Sequence, residues 1–115
     1  KGKTNMEQRI KRIVDVLDSK KAENIETYTL TGKGYIADRV VLATSLNSKH
    51  GNALLKHLKD ELKPLGEEFL RLEEDDGEWT VVDLGDILIH IMTASYRELY
   101  TLDDFLDNFN LPQEN

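Results

Sequence analysis

The chain has 115 residues and no cysteine, enough for one domain with a modest core, and it has neither a disulfide framework nor a thiolate nucleophile. Its formal net charge is −7, and an acidic surface repels a phosphate backbone, so direct nucleic-acid binding is not the expected main contact. No long apolar run marks a membrane span or a signal sequence, which makes a soluble cytoplasmic protein the expectation.

Residues 1–5 read as an appended or disordered leader before a start at Met6, residues 6–109 as the domain, and residues 110–115 as a flexible tail. A first helix from about Asn5 to Ala22 sets Met6, Ile10, Ile13, Val14 and Leu17 on one side, with Lys and Arg opposite. Two strands follow, Ile25 to Leu30 and Arg39 to Thr44, joined by a loop containing Gly32-Lys33-Gly34. That loop lacks the spacing of a phosphate-binding motif and reads as a hairpin connection. Ser48 is placed to cap a second helix that presents Leu54, Leu55, Leu58, Leu62 and Leu65 and ends near Pro64 and Gly66. A third strand, Glu68 to Glu73, turns through Asp76-Gly77 into a hairpin. After Met92, Ser95 to Phe109 offers Leu99, Leu102, Phe105, Leu106 and Phe109 on one or two short helices. This order demands a crossover between the second and third strands and hairpins elsewhere. The class is therefore α/β or α+β, a single mixed sheet of about five strands with helices packed on it.

The segment Trp79 to His90, W-T-V-V-D-L-G-D-I-L-I-H, is the richest in chemistry. Two alternating runs flank Gly85-Asp86, a pair suited to a tight turn, which sets Leu84 against Ile87. Val82 and Ile89 then share one face, while Trp79, Val81, Asp83, Leu88, His90 and Met92 share the other. A one-residue slip would oppose Asp83 and Asp86, an unfavourable pair of like charges. The preferred register puts Asp83 and His90 on a diagonal of roughly 7 Å or less, close enough for a carboxylate to orient an imidazole. No nucleophile or third group stands beside them, so a structural pair is preferred to a catalytic one. From Asp60 to Asp86 there are eleven Asp or Glu against Lys63 and Arg71 alone, whereas Lys1 to Lys21 holds seven basic residues against three acidic. One end of the molecule is thus suited to a basic protein partner, and the run Glu73-Glu74-Asp75-Asp76 is by itself a solvated turn.

The hairpin resembles the Iojap family, the bacterial ribosomal silencing factors, whose signature is similar to W-x-V-x-D-x-G-D followed by a strand ending in His. Trp79, Val81, Asp83, Gly85, Asp86 and His90 carry that likeness. Ile36, Asp38, Thr44, Ser48 and His50 extend it upstream, and Arg97, Leu99, Tyr100 and Leu102 downstream, so that it covers almost all of Met6 to Leu106. Ser45 stands where the family usually has glycine, Lys49 where it often has arginine, Thr93-Ala94-Ser95 where acidic residues are common, and Leu106 where a tryptophan is usual. The resemblance implies a nucleotidyltransferase-like topology and docking on the large ribosomal subunit through ribosomal protein number fourteen. Occupancy there would block joining of the small subunit and repress translation, and a homodimer is also implied.

On this reading the chain is an interaction protein and not an enzyme. Trp79 and Leu84 act as apolar anchors, Asp83 and Asp86 as polar contacts and turn formers, and His90 as a support for the strand. The plain alternative for Trp79 is packing beneath a helix. Arg97 and Tyr100, three apart on a helix, face either the hairpin or the partner. The rival is a nucleotidyltransferase-like enzyme or nucleotide-binding protein, which needs paired carboxylates to hold cations; Asp83 and Asp86 are separated by a turn and sent to different environments. His50 and His57 lie seven apart on one helix without partners at metal-ligand spacing, so no metal and no cofactor is expected.

Overall fold

The computed structural model describes residues 5–110; residues 1–4 and 111–115, most of the expected leader and tail, lie outside the described residues. Asn5 belongs to the fold, because its side chain accepts a hydrogen bond from the Gln8 N–H at 2.9 Å and caps helix α1 (Met6–Ser19). Ile10, Ile13 and Leu17 form the buried stripe of that helix. Strands β1 (Glu23–Thr29) and β2 (Arg39–Ser45) follow, then helix α2 (Ser48–Leu62) and a 3-10 turn, Lys63–Leu65. Strands β3 (Arg71–Asp75), β4 (Trp79–Asp83) and β5 (Ile87–Thr93) precede two short helices, α3 (Ala94–Tyr100) and α4 (Leu102–Asn110).

The five strands form one mixed sheet in the order β1-β2-β5-β4-β3, with β2 and β5 parallel and the other neighbours antiparallel. From β2 the chain crosses through α2 to the far edge and returns by two hairpins, so that β5 inserts beside β2. Every residue of β5 is buried, as expected of a central strand covered on both faces. The hairpin register is the one the like-charge argument selects: Val82 pairs with Ile89, Asp83 with Leu88, and the Leu84 N–H bonds the Ile87 carbonyl.

Strand alternation divides the core in two. Val41, Ala43, Val82, Ile87, Ile89 and Ile91 pack under α1 and α2, meeting Leu54, Leu55, Leu58 and Leu62. Val40, Leu42, Leu88 and Met92 face the other way, against Tyr28, Leu30 and Leu106, with Trp79, Val81 and Tyr96 at the margin. Helix α4 packs on β1, and α3 on β5 and β2. All of β3 is exposed, leaving that end of the sheet open.

Three local expectations are corrected. Asn47, not Ser48, caps α2: its side chain accepts from the His50 N–H at 2.8 Å, and two adjacent cap-forming residues gave the choice no contrast in sequence. Leu65 is 50% exposed, because the helix tightens into the 3-10 turn at Pro64 and swings that position off the core stripe. Strand β3 begins at Arg71, since Leu70 still belongs to the lead-in, although its N–H already bonds the Asp83 carbonyl. The β3–β4 turn uses positive φ at Asp76 and Gly77, and a Cβ on Gly77 would lie 2.7 Å from that of Ser48, so the turn is pressed onto the first turn of α2.

Candidate functional site

Trp79 opens β4 at the margin of the second core layer and is half-buried. Its indole N–H donates to His90 Nδ1 at 3.0 Å, and its ring lies 5.1 Å from that of Tyr100, tilted by 45°. Tyr96 continues the row, 5.5 Å from Tyr100. Trp79 and His90 are diagonal neighbours across the hairpin, as Trp79 pairs with Met92 and His90 with Val81. The imidazole is buried, and burial alone pushes its pKa down to about 4, so the ring is neutral at physiological pH. With Nδ1 accepting, the proton sits on Nε2, which has no hydrogen-bond partner among the described residues.

Beside Trp79 lies an open groove of about 230 Å³ lined by Trp79, Val81, Glu73, Glu74 and Asp75. Glu73 pairs across the sheet with Val81 and Asp75 with Trp79, which places both carboxylates on the aromatic face. The charge of Asp75 reaches α3, where it is the chief cause that holds the Tyr96 phenol above its ordinary pKa. The result is an apolar floor with an acidic rim. In sequence Glu73, Glu74 and Asp75 read as part of a solvated turn, whereas they lie in β3, and Tyr96 was not singled out; the parity of β3 against β4 was the signal that could have found this face.

Of the remaining expected contacts, Leu84, Asp83, Asp86 and Arg97 are engaged within the chain. Leu84 is 6% exposed and packs in the helix-covered core, so it is not an exposed anchor; it shares parity with Val82, and that parity carries it inward. Asp83 does not orient His90: its Oδ1 accepts from the Gly85 N–H at 2.8 Å, folding the carboxylate onto its own turn. Asp86 is gripped by Arg9, with bonds of 2.8 and 2.9 Å, and the same guanidinium holds both oxygens of Glu67. Those two carboxylates raise the Arg9 pKa and tie α1 to the hairpin turn. Arg97 turns inward, giving two bonds to Asp103, one to Thr44 Oγ1 and one to the Asn24 carbonyl. Its side chain is only 11% exposed, and it holds the Asp103 carboxyl below its usual range. Tyr100, 49% exposed on the same helix, faces the hairpin and solvent together.

His50 is fixed by backbone at both nitrogens: Nδ1 accepts from the Leu46 N–H at 2.9 Å, and Nε2 lies 2.8 Å from the Lys20 carbonyl. Among the described residues no group of three or more His, Cys, Asp or Glu is arranged to hold a metal ion, and no helix is long and apolar enough to cross a membrane. Asp83 and Asp86, the carboxylates a two-metal reaction would require, are committed to Gly85 and Arg9.

Residues 3–114 match the family described as "Ribosomal silencing factor during starvation". The chain belongs to the ribosomal silencing factor family. A Haemophilus influenzae protein named Ribosomal silencing factor RsfS is 33% identical over 92 residues, spanning 79% of this chain and 90% of that protein. A Bacillus subtilis protein of the same name is 27% identical over 100 residues, spanning 86% and 85%. A crystal structure from Chromobacterium violaceum superposes with a TM-score of 0.83 at 24% identity over 97% of this chain and 91% of that one, sharing the fold. One from Bacillus halodurans gives 0.77 at 26% identity over 86% and 93%. Within this silencing-factor fold, Ser45 and Leu106 are both interior. Ser45 keeps a buried hydroxyl without a partner among the described residues, and Leu106 is fully buried against the second core layer.

Proposed function

We infer that the protein represses translation by docking on the large ribosomal subunit through ribosomal protein number fourteen, where its bulk keeps the small subunit from joining. Family membership supports the regulatory class, since the relatives are named ribosomal silencing factors. The observation that carries the docking mode is the groove at Trp79, with Tyr100 beside it and Glu73, Glu74 and Asp75 around it. An aromatic floor gives a partner side chain a desolvated seat, and an acidic rim draws in a basic protein while repelling exposed phosphate. Trp79 and Tyr100 make the contact; His90 supports Trp79 from below; Asp83, Leu84, Asp86 and Arg97 shape the hairpin and α3 that present it. Repression by occupancy makes and breaks no covalent bond, so the protein acts as a binding factor and not as an enzyme. The setting is the cytoplasm, where ribosomal subunits meet.

The test is sedimentation of the full chain with isolated large and small subunits, beside a subunit-joining assay. Binding to the large particle alone is expected, together with loss of joining. Trp79→Ala, with its folding checked by circular dichroism, is expected to weaken binding ~100-fold, in the range of an aromatic hot spot. Unchanged affinity in the folded variant removes the groove as the docking site. The homodimer implied by the family resemblance is a separate expectation, and a single monomeric species in sedimentation velocity at micromolar concentration removes it.

A further inference from the structure

The contact between Trp79 and His90 lies beneath the proposed docking groove, and its chemistry is more constrained than that of a packed aromatic pair. The indole N–H has one acceptor, His90 Nδ1 at 3.0 Å. An imidazole that accepts at Nδ1 and is neutral must carry its proton on Nε2, and that N–H is buried without a partner among the described residues. Leaving a buried donor unmade is costly, and an apolar side chain would avoid the cost. The ring therefore stands at a price in stability, and what it supplies in return is a fixed acceptor below the indole. Around it are apolar neighbours: Leu42 pairs with it from β2, Val81 from β4, and Leu88 and Met92 flank it on β5. Tyr100 bounds the indole from α3, so the ring lies between a buried acceptor and a half-exposed aromatic.

We propose that His90 is a positioning residue, which as its neutral Nε2–H tautomer clamps the Trp79 indole in one orientation and so preorganises the floor of the docking groove. The inference rests on the reading of Trp79 as the docking contact, and it adds which residue sets the geometry of that contact and by which atom. A free indole at the end of a strand would sample several rotamers, and freezing them on binding would weaken the complex. A hydrogen bond formed beforehand removes that loss. Nothing in the role requires His90 to touch the partner.

The chain has a single tryptophan, so it gives one indole N–H resonance. In the full chain that proton is expected to exchange slowly, and the His90 nitrogens are expected to show the 15N pattern of an Nε2-protonated ring. His90→Leu keeps an apolar side chain in an apolar site and removes the acceptor. Indole exchange is then expected to quicken at least ~10-fold and affinity for isolated large ribosomal subunits to fall ~10-fold, as for one lost hydrogen bond. His90→Asn restores an acceptor oxygen close to the Nδ1 position and is expected to return both readouts to within about threefold of the starting chain. A purely structural role for His90 would instead lower stability in both variants without rescue in Asn. A fast-exchanging indole in the unaltered chain, an Nδ1-protonated ring, or an affinity that stays constant in His90→Leu while the indole loosens each overturns the proposal. If the indole responds as described in a chain that never binds the large subunit, the docking reading fails and takes the positioning role with it, whereas the Trp79–His90 hydrogen bond remains.

Discussion

The two ends of the β4–β5 hairpin are built from the same kinds of residue and put to opposite uses. At the turn, Asp83 folds onto Gly85, Asp86 is locked by Arg9, and Leu84 is sunk in the core. At the other end, Trp79 lies half-buried over His90 with three carboxylates beside it, and among the described residues two of them, Glu74 and Asp75, form no ion pair. A polar residue whose hydrogen-bonding capacity is used up inside the chain has little left for a partner, while an aromatic ring with an open face has contact area to offer. The turn end fixes where the hairpin sits, and the Trp79 end keeps a half-exposed ring, the face proposed for docking.

The sharpest way to separate them is pH, because only the Trp79 end contains a buried imidazole. Burial pushes the His90 imidazole down to about 4 in the folded chain, from the ordinary value of 6.5 that it keeps when unfolded. Above 6.5 neither state holds the proton and the contribution is complete. As pH falls below 6.5 the unfolded chain gains a proton that the folded chain refuses, so stability declines until about 4, by about 3 kcal/mol in all. Urea unfolding at about pH 7.5 and about pH 4 checks this: the unaltered chain is expected to lose about 3 kcal/mol more than His90→Asn, in which the same carboxylates titrate. Equal losses would show that the imidazole is not buried as a neutral ring.

The turn end answers to a different substitution. Arg9→Met keeps the length of the side chain on α1 but strands Glu67 and Asp86, whose side chains are 11% and 40% exposed. Breaking a fully buried pair costs more, and the partial exposure here lowers the expected loss to about 2 kcal/mol in urea unfolding. Binding to the large subunit is expected to change less than about twofold, in contrast to the ~100-fold loss in Trp79→Ala. A variant that unfolds no more easily would reduce the clamp to a surface ion pair.

The frame of the hairpin could be read in the chain before folding, but the division between its two ends could not, since Asp83, Leu84 and Asp86 were expected to be contacts alongside Trp79. The hairpin register followed from Gly85 and the penalty for opposing Asp83 to Asp86, and it is the register observed. The mixed sheet followed from the order of elements, because two strands separated by a helix cannot be joined by a tight turn. What escaped was partner choice. Asp83 and His90 are diagonal neighbours as expected, yet each prefers another group, Gly85 N–H for one and Trp79 N–H for the other, and a diagonal only permits a contact. Arg97 finds Asp103 across a helix break and the Asn24 carbonyl 73 residues away, a set no local spacing could indicate. The acidic rim was visible as composition, but its alignment beneath Trp79 depended on the strand boundary at Arg71, which the sequence pattern placed too early.

Salt provides the smallest effect and the finest contrast between the two ends. The carboxylates around the groove are open to solvent, so their attraction for a basic partner acts through water and is screened once the Debye length shrinks to a few ångströms. Raising the ionic strength from about 0.1 M to about 0.4 M is expected to weaken docking about threefold, mostly through the association rate. The Arg9 clamp is bidentate to Glu67 and partly shielded, and salt reaches it less. Over the same range the difference in unfolding free energy between the unaltered chain and Arg9→Met is expected to move by less than about 0.5 kcal/mol. Docking that ignores salt would mean that the aromatic floor binds by itself and that the rim of Glu73, Glu74 and Asp75 is only a solvated edge, whereas a clamp as salt-sensitive as docking would mean that the hairpin turn is as open to water as the groove.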